Sequence, residues 1–185
     1  MTQYLVLLRG INVGGKNIIK MVDLKASFEE MGFANVRTYI QSGNVLLDAD
    51  EKNKATLTAK IESGLSKRFN FEAKVVVISQ KELTAIVKSA PEGFGKDEKK
   101  FRYDVIFLKE PLTPKEAMES VKVREGVDAA YAGKQALYFS RLISRASQSY
   151  LTKIIGMPVY QSMTIRNWNT TTKLFALMEG QYGED

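Results

Sequence analysis

The sequence contains no histidine and no cysteine among its 185 residues, and it has only four prolines and one tryptophan. Without cysteine, the chain cannot form a disulfide, use a thiol nucleophile or build the Cys/His sites that hold zinc. Without histidine, it lacks the side chain that most often serves as a general base near neutral pH. These absences exclude several classes of enzyme and favour binding over catalysis.

The rest of the composition is that of an ordinary soluble globular protein. Apolar residues make up 44% of the chain, charged residues 26% and aromatic residues 10%, which is enough apolar material to fill a core. A chain of 185 residues suits one domain or two small domains of roughly 80–90 residues. The formal net charge is +6, so the position of the excess positive charge bears on function.

The first apolar run, Tyr4–Leu8, is five residues long and is not preceded by a basic leader. Such a run is too short for the core of a signal peptide. No apolar stretch approaches the length of about 18 residues that a membrane span needs. We therefore expect a cytoplasmic protein without a membrane partner.

Apolar periodicity predicts six elements in the first half of the chain. Met21, Leu24 and Phe28 recur at helical spacing, and Gly32 is suited to end that helix. In order, the predicted elements are a strand at residues 3–9, a helix at 21–31, strands at 36–40 and 45–47, a helix at 57–69 and a strand at 73–78. This β-α-β-β-α-β order is that of a ferredoxin-like unit.

The second half repeats this order less regularly, after a further helix near residues 83–90. Thr113 is placed to cap a helix within residues 111–121, with Glu116 at the capping-box position. The other predicted elements are strands at 103–108, 129–132 and 136–139, a helix at 147–155, a weakly marked strand at 160–165 and a final helix from about residue 167. We therefore predict an α+β fold of two ferredoxin-like (βαββαβ) halves with antiparallel sheets and an extra C-terminal helix.

The best candidate for a linker is the segment 91–101, which is rich in glycine and charge. The predicted organisation is accordingly an N-terminal half at residues 1–90, a linker at 91–101 and a C-terminal half at 102–185.

The positive charge is concentrated in two stretches that contain no acidic residue, while acidic residues outnumber basic ones in the rest of the chain. Residues 1–22 contain three basic side chains and residues 129–178 contain six. If the two stretches met in space, they would form an electropositive site for phosphate, nucleotide, nucleic acid or carboxylate. The alternative is a set of solvated cations that do not converge.

The loop Gly10–Lys16 has the spacing of a Walker phosphate loop except at its last place. That place requires Ser or Thr for magnesium, and here it is Asn17. The predicted antiparallel sheet also differs from the parallel sheet of phosphate-loop enzymes. A looser interpretation is that the glycines let backbone N–H groups approach an anion, with Arg9 or Lys16 adding charge. A plain glycine-rich connection is the alternative.

Two polar turns carry asparagines. Residues 41–44 (Gln-Ser-Gly-Asn) lie between two predicted strands, where Asn often takes a left-handed conformation or caps its own backbone. Residues 166–169 (Arg-Asn-Trp-Asn) open the last helix, for which Asn167 is a natural N-cap. Trp168 fits either a role in fixing this helix to the core or a polar binding edge at a helix N-terminus.

Three segments, residues 7–17, 37–45 and 164–174, together resemble the signature of a bacterial protein family, the domain of unknown function 1697. The resemblance extends over the whole chain and implies an α+β fold of two ferredoxin-like halves. It brings no established activity. The ligand-binding residues that it implies are Arg9, Asn12, Lys16, Asn17, Gln41, Ser42, Asn44, Arg166, Asn167, Asn169 and Lys173.

These residues are amides, hydroxyls and cations, without a carboxylate or a histidine. Such a set is suited to hydrogen bonding with a polar anion, because Arg presents a fork to phosphate or carboxylate and amides read base or sugar edges. It lacks the acidic ligands of a divalent metal. We therefore expect no metal and no cofactor, and a binding module for a nucleotide, a nucleic acid or a phosphorylated metabolite.

Two alternatives stay open, and the oligomeric state is not predicted. One is an enzyme that stabilises a small anionic substrate electrostatically, with Ser42 or Lys16 as its reactive group. The other is an oligomeric structural or regulatory domain. An RNA platform on the sheet is disfavoured, because the first-half strands lack the aromatics it needs and Tyr138 with Phe139 is only a weak exception.

Overall fold

In the computed structural model, which describes residues 1–181, the chain folds as two compact units. The first is Met1–Gln80 and the second begins at Lys81. Each contains a four-stranded antiparallel sheet. The predicted α+β fold with two ferredoxin-like halves is confirmed. Residues 182–185 of the predicted C-terminal half lie outside the described residues.

The first unit has the predicted β-α-β-β-α-β order. Its elements are β1 (Thr2–Leu8), α1 (Met21–Glu30), β2 (Ala34–Tyr39), β3 (Asn44–Ala49), α2 (Lys54–Phe69) and β4 (Val75–Ser79). The strands lie in the order β2-β3-β1-β4, so β1 and β3 are central. This order brings the end of β1 and the turn between β2 and β3 to the same end of the sheet.

The hydrophobic core of the first unit forms between its two helices and one face of the sheet. Leu57, Ile61 and Leu65 recur every fourth residue along α2 and are fully buried, and Leu24 and Phe28 do the same on α1. They pack with alternate residues of the strands, because successive strand side chains point to opposite faces. The side chain of Asn53 caps α2 by accepting from the Thr56 N–H.

The second unit repeats the strand order with additions at both ends. Its elements are α3 (Gln80–Lys88), β5 (Phe101–Leu108), α4 (Pro114–Ser120), β6 (Asp128–Ala132), β7 (Ala136–Leu142), β8 (Met163–Asn167) and α5 (Trp168–Met178). The sheet order is β6-β7-β5-β8. The predicted capping box of α4 is confirmed, with Thr113 and Glu116 bonded reciprocally. No helix within residues 1–181 combines the length and the apolar character needed to cross a membrane.

The helix predicted at 147–155 is wrong. In its place the chain forms three short 3-10 helices, at Ile143–Gln148, Leu151–Gly156 and Pro158–Ser162. Leu151 and Ile154 are buried and lie three residues apart, a spacing that suits a 3-10 turn as well as an α-helix. Gly156 and Pro158 interrupt any longer helix. The last strand, predicted at 160–165, forms at Met163–Asn167.

The segment predicted as a linker packs on the second unit. Phe94 lies edge-on to Tyr103, Tyr138 and Trp168, with ring centroids 4.9, 5.4 and 5.2 Å apart. The Tyr138 hydroxyl donates to the Ile86 carbonyl of α3 over 2.6 Å. Consequently α3, predicted to end the N-terminal half, and Phe94 of the predicted linker both contact the sheet of the second unit.

Candidate functional site

Seven of the predicted ligand-binding residues lie at one end of the sheet of the first unit. Leu7 pairs with Asn44 and Asn44 pairs with Tyr39, so β1 ends where the turn between β2 and β3 begins. Leu8 pairs with Val75, which brings the start of β4 to the same end. We call the loop 9–20 and the turn 40–43 together the basic loop end. Its predicted members are Arg9, Asn12, Lys16, Asn17, Gln41, Ser42 and, at the start of β3, Asn44.

The Walker-like loop folds as a small hairpin. The Asn12 N–H donates to the Asn17 carbonyl over 3.1 Å, and the Lys16 N–H donates to the Val13 carbonyl over 3.1 Å. Between them, Gly14 and Gly15 have φ values of 58° and 73°, as in a type I′ turn. The antiparallel sheet and this hairpin exclude the strand–loop–helix cradle of a nucleoside triphosphatase, in agreement with the expectation from Asn17.

Asn12 joins the two loops of the basic loop end. Its Nδ2 donates to the carbonyls of Ile19 and Gln41 over 3.0 and 2.9 Å, and its Oδ1 accepts from the Ile19 N–H over 2.8 Å. Asn17 closes the hairpin by donating to the Gly10 carbonyl over 3.0 Å. Both asparagines have positive φ, at 52° and 48°, a conformation that Asn tolerates better than most residues. The two amides therefore shape the loop.

The turn 40–43 is strained and tightly packed. Ile40 has a φ of 48° and is exposed, an uncommon conformation for a β-branched residue. Gly43 has a φ of +75°, its carbonyl accepts from the Leu8 N–H over 2.8 Å, and a Cβ there would lie 2.6 Å from Ile11 Cδ1. A turn held in such a conformation by its surroundings is a feature of functional loops.

The buried side chain of Asn44 holds this turn in place by hydrogen bonds. Its side chain is fully buried, and its Nδ2 donates to the Tyr39 carbonyl over 2.9 Å and to the Ser42 Oγ over 3.0 Å. Gln41 is exposed at the tip. The Ser42 side chain is half-buried. A ligand could therefore contact Gln41 and Ser42, whereas Asn44 lies in the interior.

Positive charge at the basic loop end comes from Arg9, Lys16 and Lys20, and Lys74, directly before β4, adds a basic group beside it. Arg9 is half-buried and its N–H donates to the Lys74 carbonyl over 3.0 Å. The Lys74 ammonium lies 2.8 Å from Glu72, and its hydrogen bond and charge lower the pKa of that carboxyl, with a smaller contribution from Arg9. The sequence analysis did not identify Lys74 as a site residue, because only the pairing of β4 with β1 brings it beside Arg9. Lys16 is exposed at the hairpin.

Arg166 lies inside the second unit, on β8. Its Nη1 donates to the Thr164 Oγ1 over 2.8 Å and to the Ile165 carbonyl over 2.9 Å. Only 8% of the residue is exposed, and burial lowers the pKa of its guanidinium to about 10. At neutral pH the group is still charged. Arg166 is thus a buried cation fixed by neighbours on its own strand.

The remaining predicted residues stand at the start of α5. The prediction that Asn167 caps this helix is confirmed: its Oδ1 accepts from the Asn169 N–H over 2.9 Å, and its Nδ2 donates to the Tyr103 carbonyl over 3.2 Å. The Asn169 side chain is exposed, and Lys173 is half-buried one turn later. These residues and Arg166 belong to the second unit, and the seven described above belong to the first.

The sequence also missed an aromatic surface on the second unit. Phe101 and Tyr103 on β5 lie on the same sheet face as Tyr138 on β7. The alternation of Phe101, Tyr103 and Phe107 along β5 was the available signal. Among residues 1–181, no three acidic side chains lie close enough together to hold a metal ion.

A family model described as "Protein of unknown function (DUF1697)" matches residues 1–138. No curated protein matches the sequence. Among solved structures, the chain is similar to "conserved bacterial protein SP0830 from Streptococcus pneumoniae", with 27% sequence identity and a TM-score of 0.83. That match covers 97% of this chain and 99% of the other, so the similarity in fold extends beyond the family match into the last strand and helix.

Proposed function

The chain belongs to the DUF1697 family, whose description assigns no activity, and from the geometry of the basic loop end we propose that the protein binds an anionic, phosphate-bearing ligand there. Three classes of compound share this chemistry: nucleotides, nucleic acids and phosphorylated metabolites. The binding groups would be the Lys16 ammonium, the adjacent backbone N–H groups of the hairpin and the Arg9 guanidinium, with Gln41 and Ser42 as polar neighbours.

The observation that carries the proposal is the tip of the hairpin. Within residues 1–181, the N–H groups of Gly14 and Gly15 donate no hydrogen bond, and the Lys16 ammonium makes no ion pair. Two available N–H donors therefore lie next to an available cation. Backbone N–H groups at a turn with positive φ can bind an anion, and a nearby cation strengthens this binding.

The rigidity of the two loops supports binding rather than a plain connection. The Asn12 amide donates one hydrogen bond to the Gln41 carbonyl of the turn 40–43 and makes two more with Ile19 of its own loop. Gly43 and Asn44 hold that turn in place. A preformed site loses less conformational entropy on binding than a flexible loop would, so such bracing is suited to ligand recognition.

Catalysis has less support. Ser42 accepts a hydrogen bond from the Asn44 amide, and an amide N–H cannot take up the serine proton as a general base must. Lys16 is exposed, whereas a reactive lysine is usually desolvated. The alternative of an enzyme with Ser42 or Lys16 as its reactive group is therefore the weaker one. Arg166, Asn167, Asn169 and Lys173 stay predicted ligand-binding residues, although the Asn167 side chain serves as a helix cap.

Binding can be tested by calorimetric titration with inorganic pyrophosphate, ATP and a short oligouridylate at about 50 mM salt. We expect at least one probe to bind, and Lys16→Ala to weaken it about threefold to tenfold, as the loss of one charged contact would. Lys52→Ala is the matched control, because Lys52 is exposed and follows the opposite end of the same sheet. It should leave the affinity unchanged.

The three probes also separate the ligand classes. An oligouridylate that binds better than the small probes, with affinity falling steeply as salt rises, indicates nucleic acid. Preference for ATP or pyrophosphate indicates a small ligand. If none of the probes binds, or if Lys16→Ala and Lys52→Ala behave alike, the proposed site is wrong.

A further inference from the structure

The sheet of the second unit carries aromatic side chains on the face opposite its main core. The core cluster contains Ile106, Leu137 and Phe139. Because strand side chains alternate between faces, Tyr103 on β5 and Tyr138 on β7 point the other way. Tyr131 on β6 pairs with Tyr138 and shares its face. Three adjacent strands therefore contribute aromatic rings to one surface.

Residues 91–94 cover part of this surface and leave a small cavity at its edge. The cavity has a volume of about 170 Å³. Its lining includes Phe94, Phe101, Tyr103 and Tyr131, together with Ser140 and Glu92. A space of this size holds one compact head group rather than a whole nucleotide, since drug-sized ligands fill roughly 300–1,000 Å³.

The polar groups around the cavity favour a cation. Glu92 is exposed, and in the described part of the chain its carboxylate makes no ion pair. No basic side chain from residues 1–181 lines the cavity. The hydroxyls of Ser140, Tyr103 and Tyr131 can accept hydrogen bonds. The cavity therefore offers one negative charge and several acceptors.

The rings themselves favour a cation as well. The Lys100 ammonium already lies over the Phe101 ring, 5.4 Å from its centroid, which is within the range of a cation–π interaction. Stacking of a nucleobase is less suited to this place, because Phe94 packs on Tyr103 and Tyr138 and leaves these two tyrosines 7% and 1% exposed. A compact space lined by several aromatic rings suits a compact charged group that contacts a ring face.

We propose that this cavity binds an alkylammonium group, such as the methylated ammonium head of a small metabolite or a modified side chain. The positive charge would lie against the rings of Phe94 and Tyr131, because the Lys100 ammonium already contacts the Phe101 ring, and Glu92 would neutralise it. Aromatic cages with a nearby carboxylate recognise quaternary ammonium groups in this way. The site is separate from the basic loop end, which belongs to the first unit and binds the opposite charge.

The test compares choline with its neutral isostere 3,3-dimethylbutan-1-ol, which has the same shape without the charge. Binding is followed by NMR shifts in the full-length protein. We expect choline to bind about tenfold more tightly than the isostere, the range of a cation–π contact supported by a carboxylate. The largest shifts should come from Phe94, Phe101 and Tyr131.

Two variants at exposed positions keep the test independent of folding. Glu92→Gln and Tyr131→Leu should each weaken choline binding about threefold or more, whereas Glu125→Gln, at another exposed glutamate of the same unit, should have no effect. Lys16→Ala should also have no effect, which separates this proposal from the anion site. Equal binding of choline and the isostere, shifts outside the cavity, or tighter binding of uridine than of choline would each overturn the proposal.

Discussion

The two units share one strand order but connect their third and fourth strands differently. The first unit uses the 16-residue helix α2, whose Leu57, Ile61 and Leu65 are fully buried. The second unit uses three 3-10 helices, and the middle one contributes Leu151 and Ile154 to the core. Strand pairing is thus the same with two different crossovers. The crossover needs only to cover one face of the sheet with apolar side chains.

The units also differ in the polar groups that they bury. In the first, Asn44 is fully buried and its amide donates two hydrogen bonds. In the second, Asp104 Oδ2 lies 3.6 Å from Arg141 Nη2, and within residues 1–181 that oxygen and the Arg141 Nε make no hydrogen bond. One unit buries a hydrogen-bonded neutral amide, and the other buries a carboxylate that is paired with a partly buried arginine and has incomplete hydrogen bonding.

The largest effect is expected from breaking this ion pair. Arg141→Met removes the nearest counter-ion of the buried Asp104 carboxylate and should lower the free energy of unfolding by about 3 kcal/mol at pH 7. Chemical denaturation monitored by circular dichroism measures this. The double variant Asp104→Asn with Arg141→Met should recover most of the loss, because no uncompensated charge is then buried. A double variant as unstable as the single one would show that packing of the arginine stem matters more than charge.

The pH dependence of this loss follows from the same carboxyl. Burial raises the pKa of Asp104, and the charges of Arg141 and Arg102 offset this only in part. A carboxyl with a raised pKa holds its proton more tightly in the folded state, so its stabilising contribution is complete below the ordinary pKa of 3.8 and is lost as pH rises through the folded value. The defect of Arg141→Met should therefore be smaller at pH 4 than at pH 7.

A smaller effect is expected from Gly43→Ala in the first unit. The new Cβ would lie 2.6 Å from Ile11 Cδ1 and 2.9 Å from Leu8 Cβ, at a φ of +75°. Left-handed backbone and overpacking together should cost about 2 kcal/mol. Gly14→Ala is the matched control, because its φ is +58° and nothing lies within 4 Å of the new Cβ. It should cost only about 1 kcal/mol. Equal losses would mean that the turn yields to the added methyl group.

The smallest difference in stability is expected between variants of two asparagines in the hairpin, Asn12 and Asn17. Asn12→Ala and Asn17→Ala both place alanine at a φ near 50°, so the backbone cost is shared. Asn12→Ala removes three hydrogen bonds and Asn17→Ala removes one. The first should destabilise the protein by about 1 kcal/mol more than the second. If the two losses in denaturation midpoint coincide, Asn12 does not hold the two loops together.

Local signals were sufficient for much of the fold. The capping box at Thr113 and the N-cap at Asn167 depend on residues within one turn of the helix, and both predictions are confirmed. The helix at 147–155 is wrong because Leu151 and Ile154 fit a 3-10 turn equally well. Apolar spacing alone does not distinguish the two helices when only two residues are buried.

The site was harder to predict, because its contacts join distant segments. Asn12 was identified as a ligand residue, yet its amide bonds Ile19 and Gln41, which only the pairing of two loops brings together. Asp104 resembles any polar residue in a strand until the register of β7 places Arg141 beside it. Such roles depend on contacts between segments that are distant in the sequence, and residue type and spacing do not predict these contacts.

The central claim is that the hairpin tip of the first unit binds phosphate, and an amide-resolved NMR titration with inorganic pyrophosphate tests it most directly. The proposal predicts that the N–H signals of Gly14, Gly15 and Lys16 shift first and saturate together, and that these shifts are lost in Lys16→Ala. Saturating shifts confined to the second unit, or no shifts at the hairpin at millimolar pyrophosphate, would contradict it.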